Sequence, residues 1–309
     1  MADLLVADIG GTNTRLAVLQ DRQLPSEPRV FRNAEYPSFE SILSEFAGFT
    51  GALPDRAAFA VAGPVSNNAV QMTNLGWMLN AMQLTEEFGF AECHLLNDFE
   101  ALAWATLQFS QDELLQVGGA EPMPAAARAI LGPGTGLGVS GLVPGANGWA
   151  AIRGEGGHVA LAGMTEQEAE LVSHFVAQDG FCSAETLISG AGLARIHAYT
   201  TGTPMAPEEI TCLALEGDEA ARESLEIFCK LLGTVAADLA LTLGARGGVY
   251  LAGGILPTIG SHFEASGFRA RFYSNPRMRA YLAAIPVYLV KPAFPVFGGL
   301  AEFVAGSNR

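Results

Sequence analysis

The chain has 309 residues, and its 32 acidic residues against 17 lysines and arginines give a formal net charge of −15. This charge disfavours nucleic-acid and anionic-membrane partners, and the absence of a stretch of about 18 uncharged apolar residues predicts no membrane span. The four cysteines are widely spaced without a C-x-x-C pair, which favours reduced thiols over a zinc site or disulfides.

Short apolar segments separated by amphipathic stretches predict an α/β chain. In the first part, strands are predicted at 4–9, 14–19, 57–63 and 93–97, and helices at 38–49 and 98–109. After Gln108 a second glycine-rich hairpin begins, followed by a helix at 223–243, a strand at 247–255 and a C-terminal helix within 294–306. Because the pattern starts again, we predict two α/β domains related by an ancient repeat. We place one domain at 1–108 plus 294–309 and the other at 109–293.

Two turns rich in glycine and threonine lie between apolar strands. They are formed by Gly10, Gly11, Thr12 and Asn13, and by Gly134, Thr135 and Gly136. Glycine lets a ligand approach the backbone, and free N–H groups and threonine hydroxyls suit phosphate oxygens. For either turn alone an ordinary hairpin is the simpler interpretation. Their repetition, with Asp8 on the first strand, favours the binding of one polyphosphate.

Two other kinds of nucleotide site are excluded by sequence. Gly136, Gly138 and Gly141 match G-x-G-x-x-G, but the segment continues as a strand where the dinucleotide fingerprint needs a helix. The P-loop pattern is absent, and the only lysines are Lys230 and Lys291. Backbone donors, hydroxyls, arginine and a metal ion must therefore hold any phosphate.

Asn97 and Asp98 lie where a predicted buried strand becomes a helix. Asn97, with Glu100 three residues later, matches a helix-capping pattern, which needs no ligand. Asp98 has a second interpretation, because a carboxylate at the carboxyl end of a strand in an open α/β sheet faces the crevice where ligands bind. There it could accept a proton from an attacking hydroxyl.

Three further polar residues are candidate site residues only in combination with the others. In EGGH, two glycines between Glu155 and His158 predict a tight loop that presents both side chains. Glu185 lies in SAETLISGAG, where its charge could merely favour a helix N-terminus.

These segments resemble, in order and over nearly the whole chain, the motifs of bacterial ATP-dependent glucokinases. The matching segments are VADIGGTNTRLAV, AVAGPV, MTNLGW, LLNDFEALA, LGPGTGLGVSGL, EGGHVALA, SAETLISG and GGVYLAGGI. The resemblance implies the actin-like ATPase (ribonuclease H-like) fold, with two α/β domains flanking a central cleft. It also implies phosphorylation of glucose by ATP to glucose 6-phosphate, a step of glycolysis, in a cytoplasmic enzyme.

Roles follow from the resemblance motif by motif. The implied sugar-binding set is Asn97, Asp98, Glu155, His158 and Glu185, with Asp98 as the catalytic base. The implied nucleotide set is Asp8, which orients hydrated Mg²⁺, the phosphate turns Gly10, Gly11, Thr12, Asn13 and Gly134, Thr135, Gly136, and the adenosine-side Gly253 and Gly254. The cysteine-rich zinc motif of the related ROK sugar kinases is absent after EGGH.

Alternatives remain at this point, because a fold does not fix a substrate. The chain could phosphorylate another hexose, such as fructose, mannose or an N-acetylated sugar. It could also be a sugar-sensing regulator or an actin-type nucleotide-dependent structural protein. We expect a homodimer whose small-molecule partners are glucose and ATP.

Overall fold

The computed structural model describes residues 3–23 and 27–306. Its contacts divide the chain into two compact units. The first comprises Met1–Phe109, Asn147–Trp149 and Pro292–Arg309, and the second comprises Ser110–Ala146 and Ala150–Lys291. Both contain sheets and helices, so the α/β class predicted from sequence is confirmed.

The first unit is built on a mixed five-stranded sheet in the order β3-β2-β1-β4-β7. The strands of this unit are β1 (Leu4–Ile9), β2 (Asn13–Leu19), β3 (Arg29–Arg32), β4 (Arg56–Val61), β5 (Ala69–Met72), β6 (Trp77–Asn80) and β7 (Glu92–Asn97). Strands β1 and β2 form an antiparallel hairpin, whereas β4 runs parallel to both β1 and β7. The carboxyl ends of β1, β4 and β7 therefore meet at one edge of the sheet. Strands β5 and β6 form a separate hairpin.

The helices of the first unit are α1 (Phe39–Thr50), α2 (Ala81–Phe88), α3 (Asp98–Ala105) and α12 (Pro295–Gly306). Helix α1 starts after Ser38, whose side chain accepts the Ser41 N–H, and ends at Gly51 in the left-handed conformation. It packs on the sheet with the Phe39 ring edge-on to Phe59, at 5.0 Å between ring centroids. Helix α12 packs against α3.

Helix α3 is shorter than the helix predicted at 98–109. Its regular part ends at Ala105, and the N–H groups of Thr106, Leu107 and Gln108 donate to carbonyls three residues earlier. The last turn has thus tightened to 3₁₀ geometry, which an apolar pattern does not reveal.

The sheet of the second unit has the order β11-β10-β9-β12-β13-β8. Its strands are β8 (Leu114–Gly118), β9 (Arg128–Pro133), β10 (Leu137–Gly145), β11 (Gly148–Ile152), β12 (Val249–Leu251) and β13 (Val287–Val290). Strands β9 and β10 form an antiparallel hairpin, and β9, β12 and β13 are parallel. Each main sheet thus places a hairpin beside two further parallel strands. The predicted strand at 247–255 is confirmed only over Val249–Leu251.

Helices cover much of the remaining second unit. They are α4 (Glu166–Asp179), α5 (Ala184–Leu187), α6 (Gly190–Thr201), α7 (Pro207–Glu216), α8 (Glu219–Leu243), α9 (Ile255–Ala265), α10 (Phe268–Phe272) and α11 (Arg279–Ala284). Helix α8 starts four residues before the predicted start at 223, because the Asp218 side chain caps it by accepting the Ala221 N–H. It ends at Gly244, as predicted. Within residues 3–23 and 27–306, none of the helices has the length and apolar character that crossing a membrane requires.

Candidate active site

The first glycine-threonine turn closes the β1–β2 hairpin. The Gly10 N–H donates to the Asn13 carbonyl at 3.0 Å. Gly11 and Thr12 are exposed, and their N–H groups have no hydrogen-bond partner among the residues that the structure describes. The turn therefore offers two successive backbone donors and a threonine hydroxyl, which is the chemistry that phosphate oxygens need.

Asn33 fixes this turn from behind, and sequence reasoning missed it. Its side chain is 2% exposed, donates to the Gly10 carbonyl at 2.8 Å and accepts the Thr14 hydroxyl at 2.8 Å. The Asn33 N–H also donates to the Thr12 carbonyl at 2.9 Å. A single asparagine after β3 has no spacing that predicts a contact with a turn twenty residues earlier.

The second glycine-threonine turn closes the β9–β10 hairpin. The Gly134 N–H donates to the Gly136 carbonyl at 2.8 Å, and the Gly134 carbonyl accepts the Gly190 N–H at 2.8 Å. Within the described chain the N–H groups of Thr135 and Gly136 have no partner, and Thr135 is exposed. This turn again presents two adjacent donors and a hydroxyl.

Glu185 is placed beside the second turn by the short helix α5. The Ser183 side chain caps α5 by accepting the Thr186 N–H, and Glu185 lies in the first turn of this helix. This is the position at which its charge was expected to favour a helix N-terminus. The half-buried carboxylate accepts the Leu137 N–H through Oε2 at 2.8 Å. Oε1 has no hydrogen-bond partner among the residues described. Glu185 thus contacts the residue that follows the second glycine-threonine turn.

Gly253 and Gly254 lie beside the same turn. The Ala252 N–H donates to the Leu131 carbonyl at 2.9 Å, which aligns the end of β12 with that of β9. Gly253 has a φ of +93°, and a side chain there would overlap the Pro133 carbonyl, so the position requires glycine. Gly254 immediately precedes α9.

The EGGH loop forms the 3₁₀ turn Gly156–His158, as the predicted tight loop requires. The side chains of Glu155 and His158 are both exposed, and the His158 N–H donates to the Glu155 carbonyl at 3.0 Å. The next residue, Val159, accepts the Ala184 N–H at 2.8 Å. EGGH and Glu185 are therefore tied together through the backbone within the second unit.

In the first unit, Asn97 and Asp98 occupy different positions at the start of α3. Asn97 is the cap of α3: its Oδ1 accepts the N–H groups of Phe99 at 2.9 Å and Glu100 at 3.2 Å. Its Nδ2 donates to the Gly63 carbonyl at 3.2 Å. The capping interpretation is thus confirmed for Asn97, whereas Asp98 is the first residue of the helix.

Asp98 has the electrostatic setting of a base. Its pKa is raised from the ordinary 3.8 to about 6, chiefly by burial, while the Phe99 N–H lowers the pKa and the Asp8 carboxylate raises it. Asp8 lies near the end of β1, across β4 from the end of β7. Burial also raises the pKa of Asp8, and Arg15, whose Nη1 lies 3.2 Å from Asp8 Oδ2, opposes that rise. A general base works best with a pKa near the operating pH.

The carboxylates of the first unit bear on whether Mg²⁺ could bind here. Among the described residues, no cluster of three or more histidine, cysteine or acidic side chains could enclose a metal ion. Asp8 and Asp98 nevertheless interact at the same sheet edge, so they concentrate negative charge there. Mg²⁺ keeps several waters and binds through one or two carboxylates plus substrate phosphates. The residues present therefore fit a hydrated ion carried with a nucleotide.

The paired topology, a hairpin closed by a glycine-threonine turn beside two parallel strands, is that of the actin-like ATPase fold. Residues 5–307 match the family model for glucokinase. A glucokinase of Chromobacterium violaceum is 43% identical over 97% of this chain and 89% of that protein. A glucokinase of Neisseria meningitidis serogroup C is 44% identical, over 96% of this chain and 93% of its own length.

A crystal structure of a glucokinase from an Antarctic psychrotroph superposes with a TM-score of 0.90 at 32% identity, covering 99% of each chain. The chain belongs to the glucokinase family, and the family resemblance and fold predicted from sequence are confirmed.

Proposed function

We propose that the chain transfers the γ-phosphoryl group of ATP to the 6-hydroxyl of glucose, giving glucose 6-phosphate and ADP. Membership of the glucokinase family supports glucose as the acceptor. The single observation that carries the chemistry is Asp98, whose pKa is raised to about 6 at the carboxyl end of a parallel strand.

Asp98 is the proposed catalytic base. It orients the 6-hydroxyl and takes its proton as the oxygen attacks phosphorus, which is the role that a carboxylate with a raised pKa can fill near neutral pH. Its Oδ1 accepts the Phe99 N–H at 3.0 Å, which fixes the carboxylate at the start of the helix. Asn97 supports this position by capping the helix.

The proposed sugar ligands are Asn97, Asp98, Glu155, His158 and Glu185. The exposed side chains of Glu155 and His158 and the unpartnered Oε1 of Glu185 can bond to sugar hydroxyls. A sugar lacking one of these hydroxyls, or carrying it in another orientation, would leave a polar partner unpaired. This set supports selection of glucose over the hexose alternatives.

The proposed phosphate ligands are the free N–H groups and hydroxyls of the two turns, with Gly253 and Gly254 on the adenosine side. Mg²⁺ bound through water to Asp8 would neutralise charge on the phosphates, since phosphoryl transfer depends on positioning and electrostatic stabilisation. The chain has only two lysines, and this arrangement needs none, because backbone N–H groups and hydroxyls bind the phosphate oxygens. Cytoplasmic location and a homodimer stay predictions, to be checked by cell fractionation and light scattering.

A coupled assay of ADP release tests the proposal. With ATP as the donor, this assay compares glucose, fructose, mannose and N-acetylglucosamine as acceptors, and a second assay, of glucose 6-phosphate formation, compares ATP, ADP and polyphosphate as donors. We expect the highest kcat/KM with glucose and ATP, and no turnover without Mg²⁺. A clear preference for another hexose would reassign the substrate. Sugar binding without turnover would instead favour a sensor of the same fold.

A further inference from the structure

One carboxylate in the second unit adjoins both a proposed sugar site and a phosphate turn. Glu185 Oε2 accepts the Leu137 N–H at 2.8 Å, and Leu137 directly follows the turn formed by Gly134, Thr135 and Gly136. The other end of the turn is held by the segment that carries Glu185, through the Gly190 N–H and the Gly134 carbonyl at 2.8 Å. The segment 185–190 therefore clamps the turn at both ends.

The backbone of the turn also lies directly against this carboxylate. A Cβ atom added at Gly136 would overlap Glu185 Oε2, whereas one added at Gly134 meets no atom within 4 Å. A methyl group at position 136 would therefore displace the Glu185 carboxylate from its place beside the turn. The N–H groups of Thr135 and Gly136, which have no partner among the described residues, lie next to Leu137.

We infer that Glu185 is a positioning residue for the second phosphate turn, and that it links sugar binding to nucleotide binding within one unit. The link to sugar rests on the proposed function, in which Oε1 of Glu185 contacts glucose. A hydroxyl that donates to Oε1 fixes the carboxylate in the rotamer that holds Leu137. The sugar therefore orders the turn before the phosphate arrives, and the ordering cost of nucleotide binding falls.

A second effect acts in the same direction. The negative charge of Glu185 lies close to the donors that a phosphate would use, so it weakens the binding of an anion. A sugar hydroxyl donating to Oε1 disperses part of that charge. Both effects predict positive coupling, and coupling between two binding equilibria is reciprocal: glucose tightens the nucleotide and the nucleotide tightens glucose.

The experiment measures the Kd of MgADP by calorimetry with and without saturating glucose, a pair that gives no turnover. We expect wild type to bind MgADP about fivefold or more tightly with glucose. In Glu185→Ala that ratio should fall close to one. Glu185→Gln should retain part of it, because the amide oxygen still accepts the Leu137 N–H. His158→Ala is the matched control, because among the described residues no hydrogen bond joins its side chain to the turn; it should weaken glucose binding but keep the ratio at saturating glucose.

A reverse test changes the turn and reads the sugar. Gly136→Ala should displace the Glu185 carboxylate and weaken glucose binding, measured without nucleotide, by about tenfold, the loss of one charge-assisted hydrogen bond. Gly134→Ala, the same change two residues away with space for the methyl group, should weaken it far less. Equal effects of the two variants would overturn the inference.

Amide hydrogen exchange separates this inference from the proposed function. In the ligand-free protein, Leu137 should exchange faster in Glu185→Ala than in wild type, whether or not the protein phosphorylates glucose. A wild type that binds no glucose would contradict the proposed function while this exchange result still stands. An active wild type whose coupling ratio and Leu137 exchange both survive Glu185→Ala would refute the positioning role alone.

Discussion

The two glycine-threonine turns present the same donors but are fastened by different chemistry. In the first unit, the turn is held by the neutral, buried amide of Asn33, and among the described residues no hydrogen bond joins the Asp98 carboxylate to it. In the second unit, the carboxylate of Glu185 is itself the fastener, and it is only half-buried. In the first unit the residue that holds the turn, Asn33, is distinct from the carboxylate Asp98. In the second unit the carboxylate Glu185 is also the residue that holds the turn.

This difference assigns different tasks to the two carboxylates. Asn33 is 2% exposed and its amide bonds to the Gly10 carbonyl and the Thr14 hydroxyl, so a ligand cannot reach it and it is a fixed lock. In the proposed reaction Asp98, which does not hold the turn, carries the proton. Glu185 keeps one oxygen unpartnered within the described chain, so a ligand can act on the turn through it. Repetition of a sequence motif therefore does not imply repetition of its support.

The largest effect expected is on turnover in the first unit. Asp98→Asn should lower kcat by about 10²–10⁴-fold, because the amide cannot accept the proton, whereas the Kd of glucose changes only a few-fold. Steady-state kinetics and glucose titration measure the two quantities. Glu185→Gln makes the same chemical change in the other unit and should lower kcat far less. Similar losses of kcat in the two variants would remove the distinction between base and fastener.

The next effect is on stability. Asn33→Ala leaves the Thr14 hydroxyl and the Gly10 carbonyl without their buried partner, and we expect a loss of about 2–4 kcal/mol in the free energy of unfolding. Glu185→Ala should cost only about 1 kcal/mol, because water can reach the half-buried site. Urea unfolding compares them, with Thr14→Val as a control that removes only the hydroxyl. A cost for Glu185→Ala as large as that for Asn33→Ala would make both fasteners structural locks.

Sequence predicted the parts of the site that depend on local pattern. Glycine and threonine between alternating apolar residues predicted both hairpins, and the end of an apolar run predicted the position of Asp98 on the sheet edge. The bonds from Asn33 to Gly10 and from Glu185 to Leu137 could not be predicted, because they join residues 23 and 48 positions apart through the tertiary fold. Helix ends were inaccurate for a local reason: the cap at Asp218 and the tightened turn after Ala105 override apolar periodicity.

A smaller effect should appear in the free energy of unfolding of Asp98→Asn and in its dependence on pH. The pKa of Asp98 is about 6 in the fold and near 3.8 as an ordinary carboxyl, so its ionised form is disfavoured by folding. Ionisation of Asp98 therefore lowers the free energy of unfolding. This cost is absent below pH 3.8, grows as the pH rises and reaches its full value above about pH 6. Asp98→Asn does not titrate and should be more stable than wild type by roughly 1–3 kcal/mol at pH 7.5 and equal to it near pH 3. A variant less stable than wild type at pH 7.5 would contradict burial as the cause of the shift.

The smallest effect expected is a shift in the midpoint of the pH profile of kcat/KM, and it separates the roles of Asp98 and Glu185 most sharply. Because the base must be ionised, kcat/KM for glucose should fall tenfold per pH unit below about 6, the pKa of Asp98 in the free protein. Asp8→Asn should move this midpoint to lower pH, since the Asp8 charge helps to raise the pKa of Asp98. Glu185→Gln should leave the midpoint in place, because Glu185 fastens a turn and carries no proton in the reaction. A flat profile down to pH 5, or a midpoint that moved with Glu185→Gln, would show that the proton passes through a group other than Asp98.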